Sequence, residues 1–168
     1  PRVRSSAASD VYKRQAEDIA TIKVRENYSK VFLEYRDDEL NTVILPVRGY
    51  GLWGILYGYL AISNDLNTIV GLEFYEHKET PGLGAEIDNP AWKALWNGKK
   101  LFDDEGNLLI KVVKGKVAMN EADSNYKVDG LSGATLTSNG VTNLLAFWLG
   151  DLGYLKFLSN LKEEVTNV

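Results

Sequence analysis

Residues 129–149 read DGLSGATLTSNGVTNLLAFWL. The stretch opens on a hydroxyl-rich turn in which Ser132, Thr135, Thr137 and Ser138 offer hydrogen-bonding groups. Gly133 and Ala134 let the backbone approach a bulky ligand closely. Val141, Leu144, Leu145, Trp148 and Leu149 follow at i, i+3, i+4, i+7 and i+8, the apolar stripe of an α-helix. The pattern predicts a helix that starts near Thr137 or Ser138, with either as its N-cap, and stops at Gly150 and Gly153. Unpaired N–H groups and the positive end of the helix dipole then face the turn, which suits an anion such as phosphate. Ser and Thr at such a place also serve as plain caps, and spacing alone leaves both readings open. The stretch is not a P-loop, because no Gly-Lys-Ser/Thr follows a strand, and it lacks the G-x-G-x-x-G of a dinucleotide fold.

A second candidate is ETPGLG at 79–84. Its proline and two glycines make either a tight turn or a loop that lies flat against a planar ring and presents N–H groups to it. Other chemistry is thin. The chain has no cysteine, which removes disulfides, thiolate catalysis, Fe–S clusters and Cys-based zinc sites. His77 is the only histidine, and with no base–nucleophile pair beside it the expectation is neither a ligand nor a catalyst. The net charge is −4, with no Lys/Arg cluster interleaved with aromatics, so nucleic acid is not an expected partner.

The elements that must position these residues read as follows. The 168 residues suit one domain. Residues 1–15 lack periodicity and are expected to be a non-native or disordered leader, leaving 16–168 as the domain. Residues 16–26 have the composition of a short entering helix. Strands are expected at 30–36, at 42–47 ending near Pro46, and at 53–63 and 68–77 as a hairpin, with bulges where glycines fall. Asn89-Pro90 should cap a short helix at 91–96, in which Trp92 and Trp96 share one face. Residues 107–115 read as another strand, and 154–164 as a last helix. Segregated helices on a mainly antiparallel sheet define an α+β fold. No run of ~20 apolar residues is present.

Asp129-Gly130-Leu131-Ser132-Gly133-Ala134-Thr135 resembles the flavinylation motif D-x-x-S/T-G-A-T of the FMN-binding domain family. The resemblance implies covalent FMN: a flavin transferase would move FMN from FAD onto the hydroxyl of Thr135, giving a phosphoester. It implies that Asp129 and Ser132 help to present the acceptor, with Gly133 and Ala134 in the motif core and Thr137 a second-ranked hydroxyl. It places the 79–84 loop against the isoalloxazine through Glu79, Thr80, Gly82, Leu83 and Gly84, with Trp53 as an apolar contact. The blocks GLWGILYGYLAI (51–62), GLEFYEHKETPGLGAEIDNPAW (71–92), VDGLSGATLTSNGV (128–141) and FWLGDLGY (147–154) are similar to the C subunits of Na⁺-translocating NADH:quinone oxidoreductases. That implies an electron-carrying oxidoreductase subunit among other membrane subunits, on the periplasmic side of a bacterial inner membrane, with its anchor outside this chain. The alternatives are the paralogous G subunit of an Rnf-type complex, or an adaptor that carries no flavin.

Overall fold

The computed structural model describes residues 2–7, 18–26, 28–118 and 120–166. Five antiparallel strands form the main sheet in sequential order: β1 (Arg2–Ala7), β2 (Tyr28–Arg36), β3 (Glu39–Tyr50), β4 (Ile55–Ser63) and β5 (Ile69–Glu76). Sequence pattern leaves residues 1–15 out of the fold, yet Arg2–Ala7 pair with β2 from Arg2↔Leu33 to Ala7↔Tyr28. An open strand edge carries unpaired N–H and C=O groups that any extended segment can satisfy. Residues 8–15 lie outside the described residues.

Strand β3 does not stop at Pro46 as expected but runs on to Tyr50. Its ladder to β2 begins at Phe32↔Ile44, so Pro46 lies beyond that pairing and is matched only to Tyr59 of β4. The predicted hairpin is β4–β5, with register shifts at Tyr57/Gly58 and Ala61/Ile62. A side chain at Gly58 would run into the Glu73 carbonyl and Phe74, so close backbone approach explains this glycine.

Two further expectations fail. Residues 18–26 are not helical: the Asp18 carboxylate accepts from Ile22 N (2.9 Å) and Lys23 N (2.7 Å), and Thr21 and Lys23 take left-handed φ of 53° and 63°. A short acid that caps its own backbone in a turn outweighs the helix propensity of its neighbours. Residues 16 and 17 are outside the described residues. The strand expected at 107–115 shrinks to β6 (Lys111–Val112), which pairs in parallel with β7 (Lys127–Val128).

Among the described residues there are three α-helices: α1 (Pro90–Ala94), α2 (Thr135–Leu149) and α3 (Leu155–Thr166). Asn89 caps α1 by accepting from Ala91 N, with Pro90 in the first turn. Trp92 and Trp96 are buried edge to face, 5.5 Å between centroids.

Helix α2 is the organising element. Val141, Leu144, Leu145, Trp148 and Leu149 are all buried, as their spacing predicts, and share one core with Leu45, Val47, Leu56 and Leu60 of the sheet. Each fully buried Leu contributes about 1.5–3 kcal/mol. The approach is close: a Cβ at Gly49 would lie 2.6 Å from Leu144 Cβ, and one at Gly140 would strike the Tyr50 carbonyl. This fit presses the start of α2 against the end of β3 and the turn that follows it.

Candidate functional site

The helix begins earlier than the apolar stripe suggests. Its first residue is Thr135 and its N-cap is Ala134, so Thr137 and Ser138 lie inside the first turn and cap nothing. The stripe marks only the buried face, and the first exposed positions of a helix leave no hydrophobic trace.

The four hydroxyls of the turn separate sharply. Thr137 is fully buried and its Oγ1 donates to Glu79 Oε2. Ser138 is buried, and its Oγ accepts from Leu131 N at 3.1 Å, which folds the DGLSG segment back onto the helix. Ser132 and Thr135 are exposed, with no side-chain hydrogen bond among the described residues. No side chain caps the helix. An uncapped N-terminus with a free hydroxyl on its first residue can hold a phosphoryl group where N–H dipoles favour it.

Asp129 reaches away from the hydroxyls. Its Oδ1 accepts from Val117 N (2.9 Å) and its carbonyl from the Trp92 indole (2.9 Å). Gly130 N donates to Gly115 O at 2.7 Å, and a Cβ on Gly130 would collide with the Val113 carbonyl. The motif thus holds the loop at 113–117 against itself. Between them lies a cleft of about 390 Å³, lined by residues 113–116 and 130–133 with Thr135, Ser138 and Asn139. Lys114 and Lys116 line it and make no ion pair among the described residues. Neither lysine stands out in the sequence. Their only signal is KGK around Gly115, whose φ of +81° turns the chain there.

The second motif lies alongside. Leu83 is exposed, and its Cδ2 would be 2.9 Å from a Cβ on Gly133, so the glycine lets the two loops touch. Gly82 takes φ +74°, and Thr80 O accepts from Leu83 N and Ala85 N at 3.1 Å each. Thr80, Gly82 and Leu83 present themselves outward, as does Trp53, which is 61% exposed. Glu79 and Gly84 are buried beneath them. Glu79 Oε1 accepts from Leu52 N (3.0 Å) and Trp53 N (2.9 Å), so its oxygens face the scaffold. His77 is also structural: Nδ1 accepts from Glu79 N (3.1 Å), leaving Nε2 to donate to Asp88 (2.8 Å).

Residues 51–150 match the FMN-binding domain family, and the chain belongs to it. It is 59% identical over 148 residues to the C subunit of the Na⁺-translocating NADH-quinone reductase of Pseudomonas aeruginosa, covering 88% of this chain and 57% of that protein. The corresponding protein of Yersinia pestis is 49% identical over 149 residues, covering 88% of this chain and 55% of that protein. The chain therefore spans somewhat over half the length of these relatives. Among solved structures, Shewanella oneidensis NqrC superimposes with a TM-score of 0.83 at 42% identity, covering 92% of this chain and 69% of that one. The C subunit from Parabacteroides distasonis gives 0.66 at 41% identity, covering 79% and 64%. The α+β architecture expected from the sequence is thus the observed one. Among the described residues, no helix is long and apolar enough to cross a membrane.

Proposed function

We propose that this chain is the flavin-bearing domain of a Na⁺-translocating NADH:quinone reductase C subunit, and that it holds FMN by a phosphoester to Thr135. One observation carries the choice of residue. Of the two threonines in the first turn of α2, Thr135 is exposed beside the cleft, whereas Thr137 is buried with its hydroxyl given to Glu79.

The residues present fit the group. Thr135 supplies an accessible hydroxyl, the uncapped helix start supplies N–H dipoles, and Lys114 and Lys116 add positive charge beside a dianionic precursor. Attachment would form a Thr135 Oγ1–P bond as a flavin transferase breaks the P–O–P link of FAD. The hydroxyl proton and the adenylate leave together. Thr80, Gly82, Leu83 and Trp53 are the exposed groups placed to contact the ring, while Glu79 and Gly84 support them from below.

The bound flavin would supply one- and two-electron chemistry between a donor and an acceptor in partner subunits. The chain's own task is to fix the ring's position and surroundings. A covalent tether suits a periplasmic site, where free FMN is not replenished. The complex's membrane subunits, their Na⁺ coupling and an anchor for this domain belong to the same proposal.

Co-expression with a flavin transferase tests attachment. The intact mass should rise by ~0.4 kDa, the increment of an esterified FMN. Thr135→Ala should show no increment and no in-gel flavin fluorescence. An adduct that survives this substitution would move the ester to another residue.

A further inference from the structure

Glu79 is the only buried carboxylate among the described residues, at 6% exposure. Burying a carboxylate is costly unless hydrogen bonds satisfy it, so each of its contacts matters. Oε1 takes the successive amides of Leu52 and Trp53, and Oε2 takes the Thr137 hydroxyl. These partners come from two segments, the turn at 51–54 and the first turn of α2, and Glu79 itself opens a third, the loop at 79–84. Two glycines make room for the carboxylate. A Cβ at Gly51 would lie 2.6 Å from Oε1, and one at Gly84 would lie 2.5 Å from Oε2 and 2.6 Å from Thr137 Oγ1.

We infer that Glu79 is a positioning residue, whose carboxylate fixes these three segments to one another and so sets the surroundings of the flavin without taking part in its attachment. The inference rests on the Thr135 reading above. Leu52 and Trp53 are exposed, so little packing orients them, and the direction of their amides sets where their side chains project. Thr137 stands two residues after Thr135 on the same helical turn. One carboxylate therefore links the backbone beneath Trp53 to the helix turn that bears the attachment hydroxyl. The His77 ring holds the backbone of Glu79 in turn, by accepting its N–H.

The test uses the full chain co-expressed with a flavin transferase and reads adduct mass, flavin fluorescence and amide exchange. In Glu79→Ala the adduct should still form on Thr135. Exchange at Leu52 and Trp53 should be roughly tenfold faster, the loss of about one hydrogen bond each. Flavin fluorescence should change by roughly twofold as the walls around the ring loosen. Glu79→Gln should restore both, since its carbonyl accepts the two amides and its NH₂ can donate to Thr137 Oγ1. Wild-type fluorescence and exchange in Glu79→Ala would overturn the inference. Should Glu79→Ala not fold, Thr137→Val removes one bond at nearly constant shape, and unchanged fluorescence and exchange there would overturn it equally. A wild-type protein without adduct would sink the Thr135 reading alone; exchange at Leu52 and Trp53 would then decide the role of Glu79.

Discussion

The two ends of α2 are built on opposite plans. At the C-terminal end, Trp148 stacks on Tyr154 with centroids 5.2 Å apart, and each ring's polar atom is satisfied: Trp148 Nε1 donates to Arg48 O (2.7 Å) and Tyr154 Oη to Pro46 O (2.8 Å). The Arg25 guanidinium lies 5.8 Å from the Trp148 ring and donates to the Leu152 carbonyl, placing a cation where the helix dipole favours one. At the N-terminal end no side chain caps the helix, Thr135 is exposed and Leu136 is 58% exposed. At one end the two ring donors find their acceptors within the chain. The other leaves polar groups unmet beside a cleft, as a ligand site requires.

The widest separation between the ends comes from Thr135→Ala. It should abolish the flavin adduct while moving stability by less than about 0.5 kcal/mol, since the side chain is exposed and bonds to nothing described. Intact mass and urea denaturation check the two halves. Trp148→Ala should do the reverse. Losing a buried indole costs about 3–5 kcal/mol in denaturation, yet the fraction that folds should still take up flavin. A Trp148→Ala protein that folds well but stays unmodified would break the division.

The C-terminal end should also give way in alkali. Burial pushes the Tyr154 phenol up to about 12. Unfolded tyrosine ionises near ~10, so stability is fully present below that pH and falls as pH rises from there toward 12. The loss amounts to about 2–3 kcal/mol, from roughly two pH units of differing proton affinity. Urea midpoints across the alkaline range, up to the folded-state value, measure it. Tyr154→Phe should flatten this alkaline slope while costing about 1 kcal/mol at neutral pH for the bond to Pro46 O.

The same contrast explains what can be read from sequence. The stripe from Val141 to Leu149 is a packing signal with a fixed period, so the core face and the glycine stop are legible. So are the β4–β5 hairpin and the Asn89-Pro90 cap, each marked by local turn chemistry. The N-cap of α2 falls three to four residues earlier than expected because Thr135 and Leu136 face outward and break no pattern. Residues 18–26 mislead because Asp18 reaches four and five residues along the chain, which composition does not record. The site's chemistry is visible in DGLSGAT and ETPGLG as motifs. Their internal division of labour is not. Thr135 and Thr137 are the same residue type two positions apart, and only the packing of Glu79 between two loops decides which hydroxyl is free. Lys114 and Lys116 escape notice because the strap that brings them to the cleft runs through Asp129 and Gly130, residues 12 or more positions away from the backbone they hold.

The smallest effect would come from Ser138→Ala, and it probes whether the N-terminal end depends on its own internal scaffold. Ser138 Oγ is the acceptor for Leu131 N, and both residues are buried. Removing it leaves a donor unpaired away from water, at a cost of about 1 kcal/mol if the turn can shift slightly to reach solvent. The substitution touches neither the Thr135 hydroxyl nor the cleft lysines. It loosens the fold-back of DGLSG that sets the angle at which Thr135 meets the cleft. Adduct formation should therefore slow while its final level stays complete, which a time course of intact mass after adding transferase would read. An unchanged rate would mean that the turn is held by the Asp129 and Gly130 straps alone.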